Sequence, residues 1–167
     1  HIGNTTVEVY NEQKSKKVSV SVIARYNLWE LPNVSFGCSV STLENTLGKA
    51  DFISSDKTAY GYYNWGDSKS LMFLFENGSM KAYGFLISTL KPVDSFLRER
   101  YEFYTYNGGV YYFGNAFSVR AASLFVAYEL YNYSYYMVLY MPSNSYKDDD
   151  MMTIQKNMSE LIDKIKI

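Results

Sequence analysis

Residues 71–88 read LMFLFENGSMKAYGFLIS, in which two apolar runs are separated by a short polar turn. The runs Leu71–Glu76 and Met80–Ser88 have the length and aromatic content typical of strands. Asn77 and Gly78 are the residues that a two-residue type I′ turn favours, because both of its central positions need a positive φ. The sequence therefore predicts an antiparallel hairpin in the middle of the chain.

A short helix is predicted before this hairpin. Ser41 lies three residues before Glu44, which is the spacing of a capping box at a helix N-terminus. Gly48 can adopt the left-handed conformation that often ends a helix. We therefore expect a helix over about Thr42–Leu47, followed by a strand over Tyr60–Asn64 that joins the hairpin.

The same order of elements is predicted a second time. With an offset of 50 residues, the apolar positions of the first helix align with those of a second one, about Pro92–Arg100. Further strands are predicted over Tyr101–Tyr106, Val110–Phe113, Val119–Leu130 and Tyr135–Met141. We interpret the two segments, approximately residues 41–88 and 91–141, as tandem repeats of a helix and an antiparallel sheet. They should share one core, because neither could bury its helix and sheet alone.

The two ends of the chain add one element each. Alternation of apolar and polar residues predicts an N-terminal hairpin of Thr5–Tyr10 and Lys17–Arg25. A C-terminal amphipathic helix is predicted over about 150–165, and we expect its apolar stripe to pack on the sheet of its own chain. The fold class is therefore α+β, with residues 1–167 forming a single domain.

Composition excludes several classes of function. The 16 Lys and Arg residues balance the 17 Asp and Glu residues without forming a block of like charge, so we expect no nucleic-acid partner. His1 and Cys38 are the only residues of their kinds, which excludes a disulfide, a cysteine-rich zinc site and the usual His-activated nucleophiles. We expect no metal, no cofactor and no membrane span, since no apolar run reaches 18 residues.

Carboxylates are the remaining acid–base candidates. Glu76 lies beside a turn and Glu129 in an apolar strand, and nothing in the sequence pairs two carboxylates at the separation that a glycosidase needs. Solvated or edge charge is the better interpretation of both. We therefore predict that the protein is not an enzyme.

Aromatic residues are the unusual feature of the composition. They make up 18% of the chain, including 18 tyrosines. One interpretation is core packing with hydroxyl groups that reach the rim. The other is a binding surface on an uncovered sheet face or its rim, since tyrosine supplies amphipathic contact area at low entropic cost. The candidate contact residues are Tyr62, Tyr63, Trp65, Tyr83, Tyr112, Tyr136 and Tyr140.

Residues 36–51, FGCSVSTLENTLGKAD, resemble a family pattern of Gly, a capped short helix, Leu-Gly and a small residue before Asp. With Tyr62-Tyr63 and the turn at 75–80, this is similar to the tandem units of the beta-lactamase-inhibitor-protein-like (BLIP-like) fold. Small bacterial envelope lipoproteins of the SmpA/OmlA type share that fold. The resemblance covers residues 36–88 well and 91–141 loosely. It implies an extracytoplasmic protein, periplasmic or at the cell surface, with a lipid anchor carried by a preceding leader.

Together these observations predict a non-catalytic extracytoplasmic binding module that recognises a protein or a glycan through an aromatic sheet surface. The alternative is a structural subunit of a cell-envelope complex, which would dock through its C-terminal helix.

Overall fold

The computed structural model describes residues 3–10, 17–24, 27–143 and 151–165. The protein is α+β, with one antiparallel sheet of eight strands and a separate two-stranded sheet. The elements are β1 (Gly3–Tyr10), β2 (Lys17–Ala24), α1 (Val40–Leu47), β3 (Phe52–Ile53), β4 (Ala59–Tyr63), β5 (Ser70–Glu76), β6 (Ser79–Ser88), α2 (Val93–Arg98), β7 (Glu102–Asn107), β8 (Val110–Gly114), β9 (Leu124–Asn132), β10 (Tyr135–Pro142) and α3 (Met151–Ile165).

The large sheet has the strand order β3-β4-β5-β6-β10-β9-β8-β7. Strands β3 to β6 follow α1 and strands β7 to β10 follow α2, and in each group strands that are consecutive in the chain are neighbours. The groups meet at the centre, where β6 pairs antiparallel with β10 and Tyr83 lies opposite Tyr140. The outermost strands of the sheet are β3 and β7.

Two hydrophobic clusters, one on each face of the sheet, form the core. On the first face, Leu43 of α1 and Leu97 of α2 are fully buried in one cluster with Phe85. On the second face, Met158 and Ile162 of α3 are buried with residues of the central strands. The prediction that the C-terminal helix packs on its own sheet is confirmed.

The turns follow the local sequence. Asn77 and Gly78 have φ values of 51° and 75°, so the predicted hairpin β5–β6 is confirmed. Gly108 and Gly109 connect β7 to β8 with φ values of 58° and 91°. Both turns use the positive φ that a tight hairpin needs.

Several element boundaries differ from the predictions. Helix α1 begins at Val40, and its N-cap is Ser39, whose Oγ accepts a hydrogen bond from the backbone N–H of Thr42 at 3.2 Å. The predicted capping box, with Ser41 as the N-cap, is therefore wrong. Ser39 and Ser41 are both residues that can cap a helix, and the prediction chose the second of them. Strand β3 was not predicted, since two residues carry no periodicity.

The predicted strand over Val119–Leu130 begins five residues later, at Leu124. The segment before it is a turn, in which the N–H of Ala121 donates to the carbonyl of Ser118 at 3.0 Å. The Asn115 carboxamide oxygen then accepts from the N–H of Leu124 at 3.1 Å, which fixes the strand start.

Some predictions fall outside the described residues: Arg25 at the end of the N-terminal hairpin, the connection of that hairpin, and residue 150 before α3. Among the described residues, no helix combines the length and apolarity that crossing a membrane requires.

Candidate functional site

Four of the seven candidate contact residues are buried. Tyr62, Tyr83, Tyr112 and Tyr140 have only 6%, 7%, 2% and 1% of their surface exposed, so the exposure predicted for them is wrong. The prediction assumed a sheet with one uncovered face, whereas helices lie on both faces.

Tyr83 and Tyr140 lie at the centre of the first face. Their rings stack across the β6–β10 junction with centroids 5.2 Å apart and an interplanar angle of 20°. Burial raises the pKa of both hydroxyls, so both stay protonated. The two side chains join the halves of the sheet and are not available to a ligand.

Tyr62 and Tyr112 attach helices to the sheet. The Tyr62 hydroxyl donates to the carbonyl of Gly48 at 2.9 Å, at the end of α1. Burial, together with the charges of Glu44 and Asp51, raises its pKa to about 12. On the second face, the Tyr112 hydroxyl lies 3.2 Å from the Ser159 hydroxyl of α3.

The other three candidates do not form one surface. Tyr63 is 53% exposed, but it follows Tyr62 in β4 and so lies on the second face. Trp65 is partly buried, and its Nε1–H donates to the carbonyl of Glu30 at 2.8 Å. Tyr136 is partly buried on the first face, in the other half of the sheet.

A different aromatic surface is present on the first face, beyond α2. It crosses strands β7 to β10, and we call it the aromatic strip. Its members are Phe103, Tyr106, Tyr111, Tyr128, Leu130 and Tyr136. Phe103, Tyr106 and Leu130 have 41%, 56% and 55% of their surface exposed, which is high for large apolar side chains on a sheet.

The rings of the strip contact one another in sequence across the strands. Tyr106 and Tyr111 have centroids 4.5 Å apart, and Tyr111 stacks on Tyr128 at 4.8 Å with an angle of 7°. Tyr128 then meets Tyr136 edge to face at 5.6 Å. Tyr111 and Tyr128 therefore each use one ring face on the other, and Tyr128 is buried, so a partner can reach mainly Phe103, Tyr106 and Leu130.

An ion pair on α2 holds the strip in place. Asp94 Oδ1 accepts a hydrogen bond from the Tyr128 hydroxyl at 2.7 Å, and Asp94 Oδ2 accepts one from Arg98 Nε at 2.8 Å. The Arg98 guanidinium lies 4.5 Å from the ring centroid of Phe103. Helix and strip are thus connected through both a carboxylate and a cation–π contact.

The ionisation of Asp94 reflects these contacts. Its partial burial opposes the charged form, but the hydrogen bonds from Arg98 and Tyr128 and the charge of Arg98 outweigh burial and lower its pKa. Burial and the carboxylate of Asp94 raise the pKa of Tyr128, so the hydroxyl remains the donor.

Sequence reasoning found only Tyr136 among the strip residues. A bulge in β7 between Phe103 and Thr105 places Phe103 and Tyr106, three positions apart, on one face, and this breaks the alternation. A usable signal was the two-glycine turn, which sets Tyr106 opposite Tyr111.

Among the described residues, no three His, Cys, Asp or Glu side chains form a cluster that could hold a metal ion. No family model, curated protein or solved structure matches the chain, so its BLIP-like character stays a prediction from the sequence.

Proposed function

We propose that this chain is a non-catalytic binding module that contacts a protein partner through the aromatic strip. The observation that carries the proposal is the set of linked rings on a sheet, with Phe103, Tyr106 and Leu130 about half exposed. Exposed aromatic side chains on a rigid support are typical binding hot spots. The hydrogen bond between Asp94 and Tyr128 limits ring motion, which lowers the entropic cost of binding.

Ring orientation favours a protein over a glycan. A sugar stacks on an exposed ring face, but Tyr111 and Tyr128 each use one ring face on the other, and Tyr128 is only 4% exposed. The exposed parts of Phe103, Tyr106 and Leu130 offer apolar contact together with the Tyr106 hydroxyl. This combination suits the side chains of a protein surface.

The alternative function, docking in an assembly through the C-terminal helix, has less support. Met158 and Ile162 of α3 are buried against the sheet of the same chain, so this part of the apolar stripe is already covered. An assembly role would have to use other parts of the surface.

We also propose that the two halves of the domain arose by duplication, as in the BLIP-like fold. The order of α1 with β3–β6 and of α2 with β7–β10, on the two sides of the central pair, supports this. Superposition of residues 40–88 on 93–142 tests it, and different helix positions on the sheet would refute it. An extracytoplasmic location rests on the resemblance alone. A secretion signal at the start of the full-length precursor would support that location, and its absence would remove the support.

Photo-crosslinking tests the binding surface. A benzophenone amino acid at Tyr106 should capture a protein from extracts of the source cells, whereas the same group at Tyr63 should not. Tyr63 is the matched control, because it is an equally exposed tyrosine on the opposite face. The captured protein, once purified, should bind the wild type at least about 30-fold more tightly than a Tyr106→Ala variant, the size of one hot spot.

Controls separate binding from folding. The Tyr106→Ala variant should keep its melting temperature within a few degrees, since the side chain is largely exposed. Equal capture at both positions, or unchanged affinity after substitution, would refute the proposed surface. A glycan array on which only the wild type binds a sugar would replace the protein partner with a carbohydrate.

A further inference from the structure

One end of the large sheet carries two large apolar side chains that almost nothing covers. At this end β6 is followed by the loop 89–92, and β9 is joined to β10 by the turn at 133–134. Leu90 in the loop is 94% exposed and Tyr133 in the turn is 98% exposed, the two highest values among the large hydrophobic residues that the structure describes. Single exposed residues of this kind are common on protein surfaces, but two at one place indicate a contact.

Hydrogen bonds hold the loop and the turn side by side. The backbone N–H of Thr89 donates to the carbonyl of Ser134 at 2.9 Å, and the Thr89 hydroxyl donates to the carbonyl of Tyr133 at 3.3 Å. Leu90 directly follows Thr89 in the chain, so Leu90 and Tyr133 protrude from one fixed base. We call this pair of segments, residues 88–92 and 131–135, the apolar tip.

The apolar tip is nearly uncharged. Its two segments read STLKP and YNYSY, and Lys91 is the one charged residue in them. The Lys91 ammonium lies 3.4 Å from a carboxylate oxygen of Asp67, in the neighbouring loop between β4 and β5. Opposite charges this close largely cancel at longer range, so the tip offers little attraction to a strongly charged partner.

Amphipathic aromatic residues lie close behind the two protruding side chains. Tyr131 and Tyr135 flank the turn and are partly buried, and Trp65 lies in the β4–β5 loop at the same end of the sheet. Tyrosine and tryptophan are enriched where proteins meet lipid headgroups, because each has an apolar ring and one polar group. The loop 115–123 at the opposite end, NAFSVRAAS, contains neither of these residue types.

The shape of the apolar tip favours a bilayer over a protein. A protein partner would need a preformed pocket for each protruding side chain, whereas a fluid bilayer closes around both. The composition agrees, since apolar and aromatic residues with an adjacent lysine are typical of segments that lie in a membrane interface.

We propose that the apolar tip docks on the surface of a lipid bilayer, with Leu90 and Tyr133 at the boundary between headgroups and acyl chains. Two inserted side chains give weak and reversible binding. Zwitterionic lipid is sufficient, because the tip carries little net charge. The contact uses the end of the sheet and not the aromatic strip, so it stands independently of the protein-binding proposal.

A fluorescent label beside each exposed aromatic residue tests the insertion. In a Cys38→Ala background, a nitrobenzoxadiazole label is attached to Ser134→Cys, next to Tyr133, or to Ser118→Cys, next to Phe117. The second is the matched control, because Ser118 is also exposed and Phe117, at the opposite end of the sheet, is 90% exposed. With phosphatidylcholine vesicles at millimolar lipid, the label at position 134 should brighten and be quenched by lipids brominated in their acyl chains.

The label at position 118 should show neither change. An absent response at position 134, or an equal response at both positions, would overturn the proposal. Brightening at position 134 that depends on protein concentration and needs no vesicles would show that the tip docks on a second copy of the chain, and this would also overturn it.

Unlabelled variants test the two side chains themselves. Leu90→Ser combined with Tyr133→Ser should lower the vesicle partition coefficient at least about tenfold, because both apolar contacts are lost. Phe117→Ser should leave the partition coefficient unchanged. All of these side chains are exposed, so the variants should melt within a few degrees of the wild type. Undiminished partition in the double variant would overturn the proposal, whether the vesicles are zwitterionic or anionic.

Discussion

The hydrogen bond between Tyr128 and Asp94 should make a measurable, pH-dependent contribution to stability. Tyr128→Phe removes a hydroxyl that is 2.7 Å from the Asp94 carboxylate and leaves the buried ring in place. A hydrogen bond to a charged group contributes about 1.5–3 kcal/mol. The Asp94 side chain is 48% exposed, so water can replace the lost donor, and we expect a loss of about 1 kcal/mol at pH 7.

The sign of the pH dependence follows from the lowered pKa of Asp94. A carboxyl whose pKa is lower in the folded state stabilises the protein above its unfolded pKa, and this stabilisation is lost as the pH falls through the folded pKa. Tyr128 stays protonated throughout, because its own pKa is raised. The stability difference between wild type and Tyr128→Phe should therefore be constant from pH 7 to about pH 5 and shrink below the ordinary Asp value of 3.8.

Urea unfolding measured at several pH values between 7 and 3 provides the assay. Tyr112→Phe is the matched control, since this buried tyrosine pairs with the neutral hydroxyl of Ser159. Its cost should be about 0.5–1.5 kcal/mol with no pH dependence in this range. If Tyr128→Phe costs the same at pH 3 as at pH 7, the carboxylate does not carry the interaction and the reasoning fails.

Three further changes test the packing of the domain. Deletion of residues 150–167 uncovers the second face, which buries Ile162, and should cause aggregation or a non-cooperative melt; a soluble, cooperatively folded product would contradict this. Gly114→Ala should destabilise by about 1–3 kcal/mol in thermal or urea unfolding, because the new Cβ would lie 2.6 Å from the Tyr104 ring, and the loss should largely vanish in a Tyr104→Ala background. Burial raises the pKa of the Cys38 thiol, so iodoacetamide at pH 8 should label it more slowly than free cysteine, and Cys38→Ala should still fold with a loss of at most about 1–3 kcal/mol.

Local signals in the sequence predicted local structure. The turn at Asn77 and Gly78 depends on two residues and a backbone conformation, so it could be derived from them alone. The burial of Tyr140 depends on which helix covers which face, and this is a property of the whole chain. For that reason four candidate contact residues proved to be core residues.

The aromatic strip could not be derived for a related reason. Alternation assigns Phe103 and Tyr106 to opposite faces, and only the bulge in β7 brings them together. A single extra residue in a ladder has no reliable sequence signature.

The central position of β10 has a consequence for synthesis of the chain on the ribosome. Strand β6 is complete at residue 88, but its second neighbour in the sheet, β10, comes only at residues 135–142. While the nascent chain grows through this interval, β6 is an open edge next to strands rich in large apolar residues. A ribosome that stalls before Tyr135 would therefore hold a half-sheet with an unpaired template strand, the form most exposed to aggregation and to chaperone capture.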